Sequence, residues 1–294
     1  MRAAVVGGPG EVDVRTVGLP EPRAGQVLVR IEGCGVCGSN LPVWEGRPWF
    51  KYPLEAGAPG HEAWGTDVES GRRVAVLSYR GFAEYDIADG DSVIELPAAL
   101  ADLPFPGEAL ACAVNVFRRS GIEGGQTVGI VGVGFLGALV LQLVVAAGAD
   151  VLAFSRRAWA RDLARSLGAS TPDEPVEESC DVVLEAAGVQ ETLDLATRLA
   201  RIRGRLVIAG FHQDGERRVD MQTWNWRGLD VVNAHERDPA EYVRGLREAV
   251  DAVVDGRLDP RPLITHSFPL ERLDDALEAA RTRPDGFLKA VVAP

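Results

Sequence analysis

Apolar and polar positions alternate in short runs over the first third of the chain, at 3–6, 12–14 and 26–32. Their period of two is that of half-buried strands, and Gly-Pro and Pro-Glu-Pro punctuation separates them, so the region predicts antiparallel strands. Further strand-like runs fall at 73–77, 82–87 and 92–96. From about residue 113 the pattern changes. An apolar, β-branched run at 127–131 turns at once through Gly132-Val133-Gly134-Phe135-Leu136-Gly137. Apolar residues at 135–147 then cover three or more helical turns and close at Gly148, ahead of a second apolar run at 151–154. Strand patterns at 181–185 and 205–210 flank a helical one at 191–200, which predicts a parallel sheet with helices on both faces. A helix at 239–255, a strand-like run at 263–268 and a helix at 270–280 end the pattern.

The strand–glycine turn–helix–strand unit carries the first candidate chemistry. Gly132 suits the tight turn, Gly134 the close approach of backbone to a pyrophosphate, and Gly137 the packing of helix on strand. The helix start at Phe135 and Leu136 offers free N–H groups to phosphate. The plain alternative is a glycine turn between core elements; the flanking strand and helix favour a dinucleotide. The second strand ends in Ser155-Arg156-Arg157, with no acidic residue until Asp162. Positive charge and a hydroxyl there suit a ribose 2′-phosphate, so NADP(H) is expected over NAD(H). Ala187, after the strand at 181–185, and Gly210, after the strand at 205–210, are further candidate cofactor contacts.

The chain has 294 residues, enough for two domains, and a formal net charge of −12, which argues against a nucleic-acid or anionic-membrane partner. No apolar run is long enough for a membrane span and the N-terminus lacks a secretory pattern, so a cytoplasmic protein is expected. Four cysteines, two of them spaced as Cys34-x2-Cys37, make a disulfide framework unexpected, and a lone CxxC has no partner pair for a four-cysteine zinc site. The only lysines are Lys51 and Lys289.

Cys37, His61 and a later carboxylate are the residue types of a catalytic zinc centre with one open position. Taken singly, the cysteines read equally well as small core residues and His61 as a turn histidine. Five motifs in order give the chain a resemblance to the zinc-dependent medium-chain dehydrogenase/reductase superfamily of alcohol and sorbitol dehydrogenase type: GCGVCGSN at 33–40, GHEAWG at 60–65, GEALACAVNVFRRSG at 107–121, GIVGVGFLG at 129–137 and PLITHSFPLERLDDALEA at 262–279. The resemblance implies an α/β chain with a GroES-like β-rich catalytic domain at 1–112 and 235–294 and a Rossmann doubly wound domain at 113–234. It implies one catalytic Zn2+ on Cys37, His61 and Glu108, with Glu62 an alternate ligand, and Ser39 as the hydroxyl that meets the substrate oxygen. It also implies a homodimer or homotetramer, and a small-molecule alcohol, polyol or carbonyl substrate.

The departures are informative. The four-cysteine lobe of some relatives is missing after the run at 73–77, so no structural zinc is expected. Asn40 stands where an aspartate is usual, which predicts a supporting hydrogen bond without its charge. Pro42 replaces a histidine that some relatives use to pass the proton outward. Trp44, Trp49 and Tyr79 are candidate substrate-facing residues, with ordinary packing as the alternative. Two other functions stay open at this point: a zinc-free NADPH-dependent quinone or enoyl reductase on the same scaffold, and a nicotinamide-binding protein without turnover.

Overall fold

The computed structural model describes residues 1–294. The chain forms two compact units: residues 1–111, 246–254 and 260–294 make the first, and 112–245 with 255–259 the second. The return expected at residue 235 therefore falls ahead of Leu246, where the chain rejoins the first unit partway along a helix.

In the first unit, β1 (Arg2–Gly8) and β2 (Glu11–Thr16) form an antiparallel hairpin. A larger sheet is organised on β3 (Gln26–Gly35), which is followed by a short helix α1 (Asn40–Trp44). Strands β4 (Glu62–Asp67), β5 (Arg73–Val76), β6 (Tyr85–Asp89) and β7 (Val93–Glu95) come next. Helix α2 (Gly107–Ser120) then leads into the second unit.

There, β8 (Thr127–Val131), α3 (Phe135–Ala146), β9 (Asp150–Phe154), α4 (Ala158–Ser166), β10 (Cys180–Glu185), α5 (Gln190–Leu199), β11 (Ala200–Ile208), α6 (Met221–Arg227) and β12 (Asp230–Asn233) alternate. Helix α7 (Pro239–Val254) carries the chain back, and β13 (His266–Pro269), α8 (Leu273–Thr282) and β14 (Ala290–Ala293) complete the first unit.

The sheet of the first unit runs β13-β14-β3-β4-β5-β7, with β6 also paired to β3. Its core contains Val29, Ile31, Val74, Val76, Phe82, Leu273, Leu277, Phe287 and Val292, all buried. Each such side chain contributes about 1.5–3 kcal/mol relative to exposure. Two expected strands shift. Residues 82–84 are buried loop, with Phe82 fully enclosed, and the strand begins at Tyr85. Residues 261–263 form a single 3-10 turn, set by Pro262, so that strand begins at His266.

The second unit is a wholly parallel five-stranded sheet in the order β12-β11-β10-β8-β9. The order reverses between β8 and β10, and in open α/β sheets ligands bind outside the carboxyl ends of the strands at such a reversal. Helix α3 is apolar nearly all round because residues 137–141, Leu143 and Val144 are buried. Helix α4 is absent from the sequence expectations: AWARDLARS offers only Ala160 and Ala164 to the interior, too few large apolar residues to make a stripe. No helix is long and apolar enough to cross a membrane.

Candidate active site

Strand β3 ends at Gly35, and the chain turns through Cys37 and Ser39 into α1. The Oδ1 of Asn40 accepts from Cys37 N–H at 2.8 Å, which fixes the turn, and its Nδ2 donates to the Pro59 carbonyl at 3.0 Å. Asn40 is 1% exposed, so both bonds lie in the interior, where an unmade bond costs about 1–3 kcal/mol. Pro59 then supports the histidine: Nδ1 of His61 lies 2.9 Å from the Pro59 carbonyl. A carbonyl only accepts, so Nδ1 carries a proton, and Nε2 is the nitrogen whose lone pair a metal could take once its own proton has left. Asn40 thus makes its supporting hydrogen bonds to Cys37 and Pro59. Its Nδ2 lies 3.4 Å from His61 Nδ1, but both atoms are donors, and the carbonyl of Pro59 takes the place of the carboxylate.

One ligand atom from each of Cys37, His61 and Glu62 lies within 4.8 Å of the others. Glu62, the first residue of β4, is fully buried, with both carboxylate oxygens enclosed beside the Lys289 ammonium. Glu108, in the first turn of α2, acts on His61 through its charge. Burial would lower the His61 pKa, but the hydrogen bond and charge of Cys37, with the charges of Glu108 and Glu62, raise it to about 10. The surroundings thus favour a cation at this point. A thiolate sulfur, an imidazole nitrogen and a buried carboxylate oxygen fit a divalent zinc ion.

Ser39 Oγ is 3.4 Å from His61 Nε2 and makes no capping bond to α1, so the helix does not consume the hydroxyl. The Tyr79 ring stacks over His61 with centroids 6.5 Å apart and planes at 16°, and Tyr79 is 55% exposed. Trp44 is occupied elsewhere: its Nε1 donates to Asp274 Oδ1 at 2.9 Å and its ring packs on the core. Trp49 is exposed and lies against Phe50.

The second unit holds the glycine turn. Gly132 has φ +107, and a Cβ there would meet Ala187 Cβ at 2.9 Å. A Cβ on Gly137 would lie 2.0 Å from the Gly132 carbonyl oxygen, whereas one on Gly134 meets nothing within 4 Å. Phe135 and Leu136 open α3 behind Gly134. Ser155, Arg156 and Arg157 lie between β9 and α4; Arg157 Nη2 donates to the Val133 carbonyl at 3.2 Å, and its N–H meets Ser155 Oγ. Arg156 is exposed. Arg161, missed in the sequence, donates to the Ser155 carbonyl at 3.0 Å and holds this corner in shape.

Glu185, also missed, ends β10 fully buried. Its Oε1 accepts from Ala187 N, Gly188 N and Thr192 Oγ1, and its Oε2 lies 2.9 Å from His212 Nε2. The Gly210 N–H donates to the Glu185 carbonyl at 2.7 Å. The Glu185 side chain therefore sets the turn that carries Ala187, and its backbone carbonyl holds Gly210. The sequence signal was a lone acid ending an apolar strand.

A model of the alcohol dehydrogenase GroES-like domain matches residues 23–149, and one of zinc-binding dehydrogenases matches 136–251. Sorbitol dehydrogenase of Halalkalibacterium halodurans is 23% identical over 94% of each chain. The solved structure of a zinc-binding dehydrogenase from Sinorhizobium meliloti bound to NADP is 28% identical, with TM-score 0.87 over 100% of this chain and 99% of that one. A cobalt- and zinc-bound thermostable alcohol dehydrogenase from Pyrobaculum aerophilum is 26% identical, with TM-score 0.85 over the same shares. The two models together span most of the chain, and with the GroES-like and Rossmann-like architectures they place it in the zinc-dependent medium-chain dehydrogenase/reductase family, as an alcohol dehydrogenase-type oxidoreductase.

Proposed function

We propose that the chain interconverts an alcohol or polyol and its ketone or aldehyde, with one zinc ion held by Cys37, His61 and a carboxylate, and with NADP(H) preferred over NAD(H). The observation that carries this reading is the convergence of Cys37, His61 and Glu62 to within 4.8 Å. Glu108 remains the second carboxylate within electrostatic reach of His61. When bound, zinc supplies Lewis-acid polarisation of the substrate oxygen, and NADP(H) supplies the hydride acceptor or donor.

The protein's own groups do the rest. Pro59 and Asn40 orient His61 and Cys37. Ser39 Oγ, uncommitted to the helix end, relays the proton: on oxidation it receives the alcohol's hydroxyl proton while releasing its own toward the cofactor ribose hydroxyls and solvent, and on reduction the relay runs in reverse. Tyr79 forms a flat wall over His61. The deciding experiment is a panel of polyols, cyclic ketones and aromatic aldehydes followed through nicotinamide absorbance, with metal analysis of protein purified without chelators. One zinc per chain and turnover of at least one substrate are expected. A metal-free, active protein would favour the zinc-free reductase instead.

Two further results are expected. Arg156 and Arg157 favour a 2′-phosphate, and charge-assisted hydrogen bonds contribute about 1.5–3 kcal/mol each, so Arg156→Ala should raise KM for NADPH about tenfold or more and leave that for NADH unchanged. An equal rise for both cofactors would remove the 2′-phosphate assignment. Because the His61 pKa is raised to about 10 in the metal-free chain, the ring is protonated at neutral pH, and a metal on Nε2 must displace that proton. Zinc affinity should therefore climb with pH, about tenfold per unit from this group up to its pKa. Calorimetry in buffers of different ionisation heat should show at least one proton released near neutrality; none released would take His61 out of the ligand set.

A further inference from the structure

Lys289, immediately before β14, is 4% exposed. Its ammonium lies 2.6 Å from Oε1 and 2.5 Å from Oε2 of Glu62, which is 0% exposed. The ammonium donates to Oε1 and lies as close to Oε2, so it engages both carboxylate oxygens. That same carboxylate belongs to the cluster with Cys37 and His61. One buried carboxylate thus faces two cationic positions, an ammonium on one side and the candidate metal position on the other. A carboxylate has enough lone pairs for both, but its charge is shared between them.

The register of the sheet brings the two side chains together. Glu62 pairs with Gly35, and Gly35 pairs in turn with Val291 of β14. A Cβ on residue 35 would lie 1.9 Å from Glu62 Oε2 and 3.0 Å from Lys289 Cε, so the absent side chain leaves the space that the ion pair fills. The formal charges also balance. A Cys37 thiolate with Glu62 and Glu108 carries three negative charges, matched by a divalent cation and one ammonium. Glu108 acts electrostatically on Lys289 as well as on His61. Burial would lower the Lys289 pKa, yet the charges of Glu62, Cys37 and Glu108 raise it, so the ammonium stays charged.

We propose that Lys289 is a positioning residue that decides how far Glu62 acts as a metal ligand: by engaging the carboxylate it restrains Glu62 from closing the open coordination position that the substrate oxygen needs. The inference rests on the zinc reading above and extends it to a residue outside the ligand set. Removing the ammonium removes the competitor for Glu62, so the carboxylate transfers to the metal, binding tightens and the open position is lost.

The test uses the full chain loaded with Co2+, read by its visible spectrum and by chelator competition. Lys289→Met is expected to tighten Co2+ binding at least about tenfold and to change the ligand-field bands, whereas Lys289→Arg keeps both near wild type. Adding Glu62→Gln to Lys289→Met should reverse the gain. Unchanged affinity and bands in Lys289→Met would overturn the proposal and leave Lys289 as a structural counter-ion. Should Lys289→Met not fold, Lys289→Gln, which keeps a neutral donor in place of the ammonium, decides by the same two readouts: tighter binding with altered bands supports the proposal, and unchanged affinity and bands overturn it. The zinc reading is checked separately in the same protein. A thiolate-to-cobalt charge-transfer band that disappears in Cys37→Ser supports it, and a wild-type chain without that band fails the zinc reading rather than the Lys289 inference alone.

Discussion

Replacing Cys37 with alanine should lower kcat by at least about a thousandfold while NADPH binds as before. The size follows from the several kcal/mol that metal polarisation contributes to charge stabilisation in such reactions, with each 1.4 kcal/mol worth a factor of ten. Selectivity follows from where the residue sits. Cys37 belongs to the first compact unit, and the glycine turn at 132–137 to the second. The variant loses the only thiol in the candidate ligand group, so zinc content should fall with activity. Fluorescence titration with NADPH and metal analysis check the two halves of the expectation. Near-normal turnover in Cys37→Ala would reject metal-dependent chemistry at this position.

Gly137→Ala should be the most damaging single methyl in the second unit. The added Cβ would lie 2.0 Å from the Gly132 carbonyl oxygen and 3.2 Å from its carbon, and because these nearest atoms are backbone, no flexible side chain can give way. Overpacking of this kind costs about 1–3 kcal/mol or more, and it distorts the turn itself. NADPH affinity should fall at least about tenfold and Tm should drop. Gly134→Ala is the informative partner. Residue 134 has φ −94, which alanine adopts freely, and its Cβ meets no protein atom within 4 Å. Tm should be unchanged there while NADPH binding weakens, because only a bound pyrophosphate would meet the methyl. Equal NADPH affinity in Gly134→Ala and wild type would mean that the cofactor phosphates do not pass this turn.

The glycine unit was legible in the sequence because each of its constraints is local: β8, the turn and α3 are consecutive, and 127–131 and 135–146 match the apolar pattern nearly residue for residue. Cys37 and His61 could be named as candidates by residue type and motif, but their meeting depends on the pairing of β3 with β4, which no local period encodes. The support of His61 by the Pro59 carbonyl was invisible, since a backbone acceptor leaves no mark on composition. Lys289 was noticed only as a rare residue type, because its partner lies 227 positions away. Trp44 shows the converse: an aromatic in a loop suggests a pocket, yet its indole N–H is engaged by Asp274 of α8.

Strand β14 pairs Val291 with Gly35 and Val292 with Cys34, and it carries in Lys289 the partner of Glu62. A fragment ending before residue 289 would therefore keep the β3–β4 pairing behind Cys37, His61 and Glu62 but leave the buried Glu62 carboxylate without its ammonium.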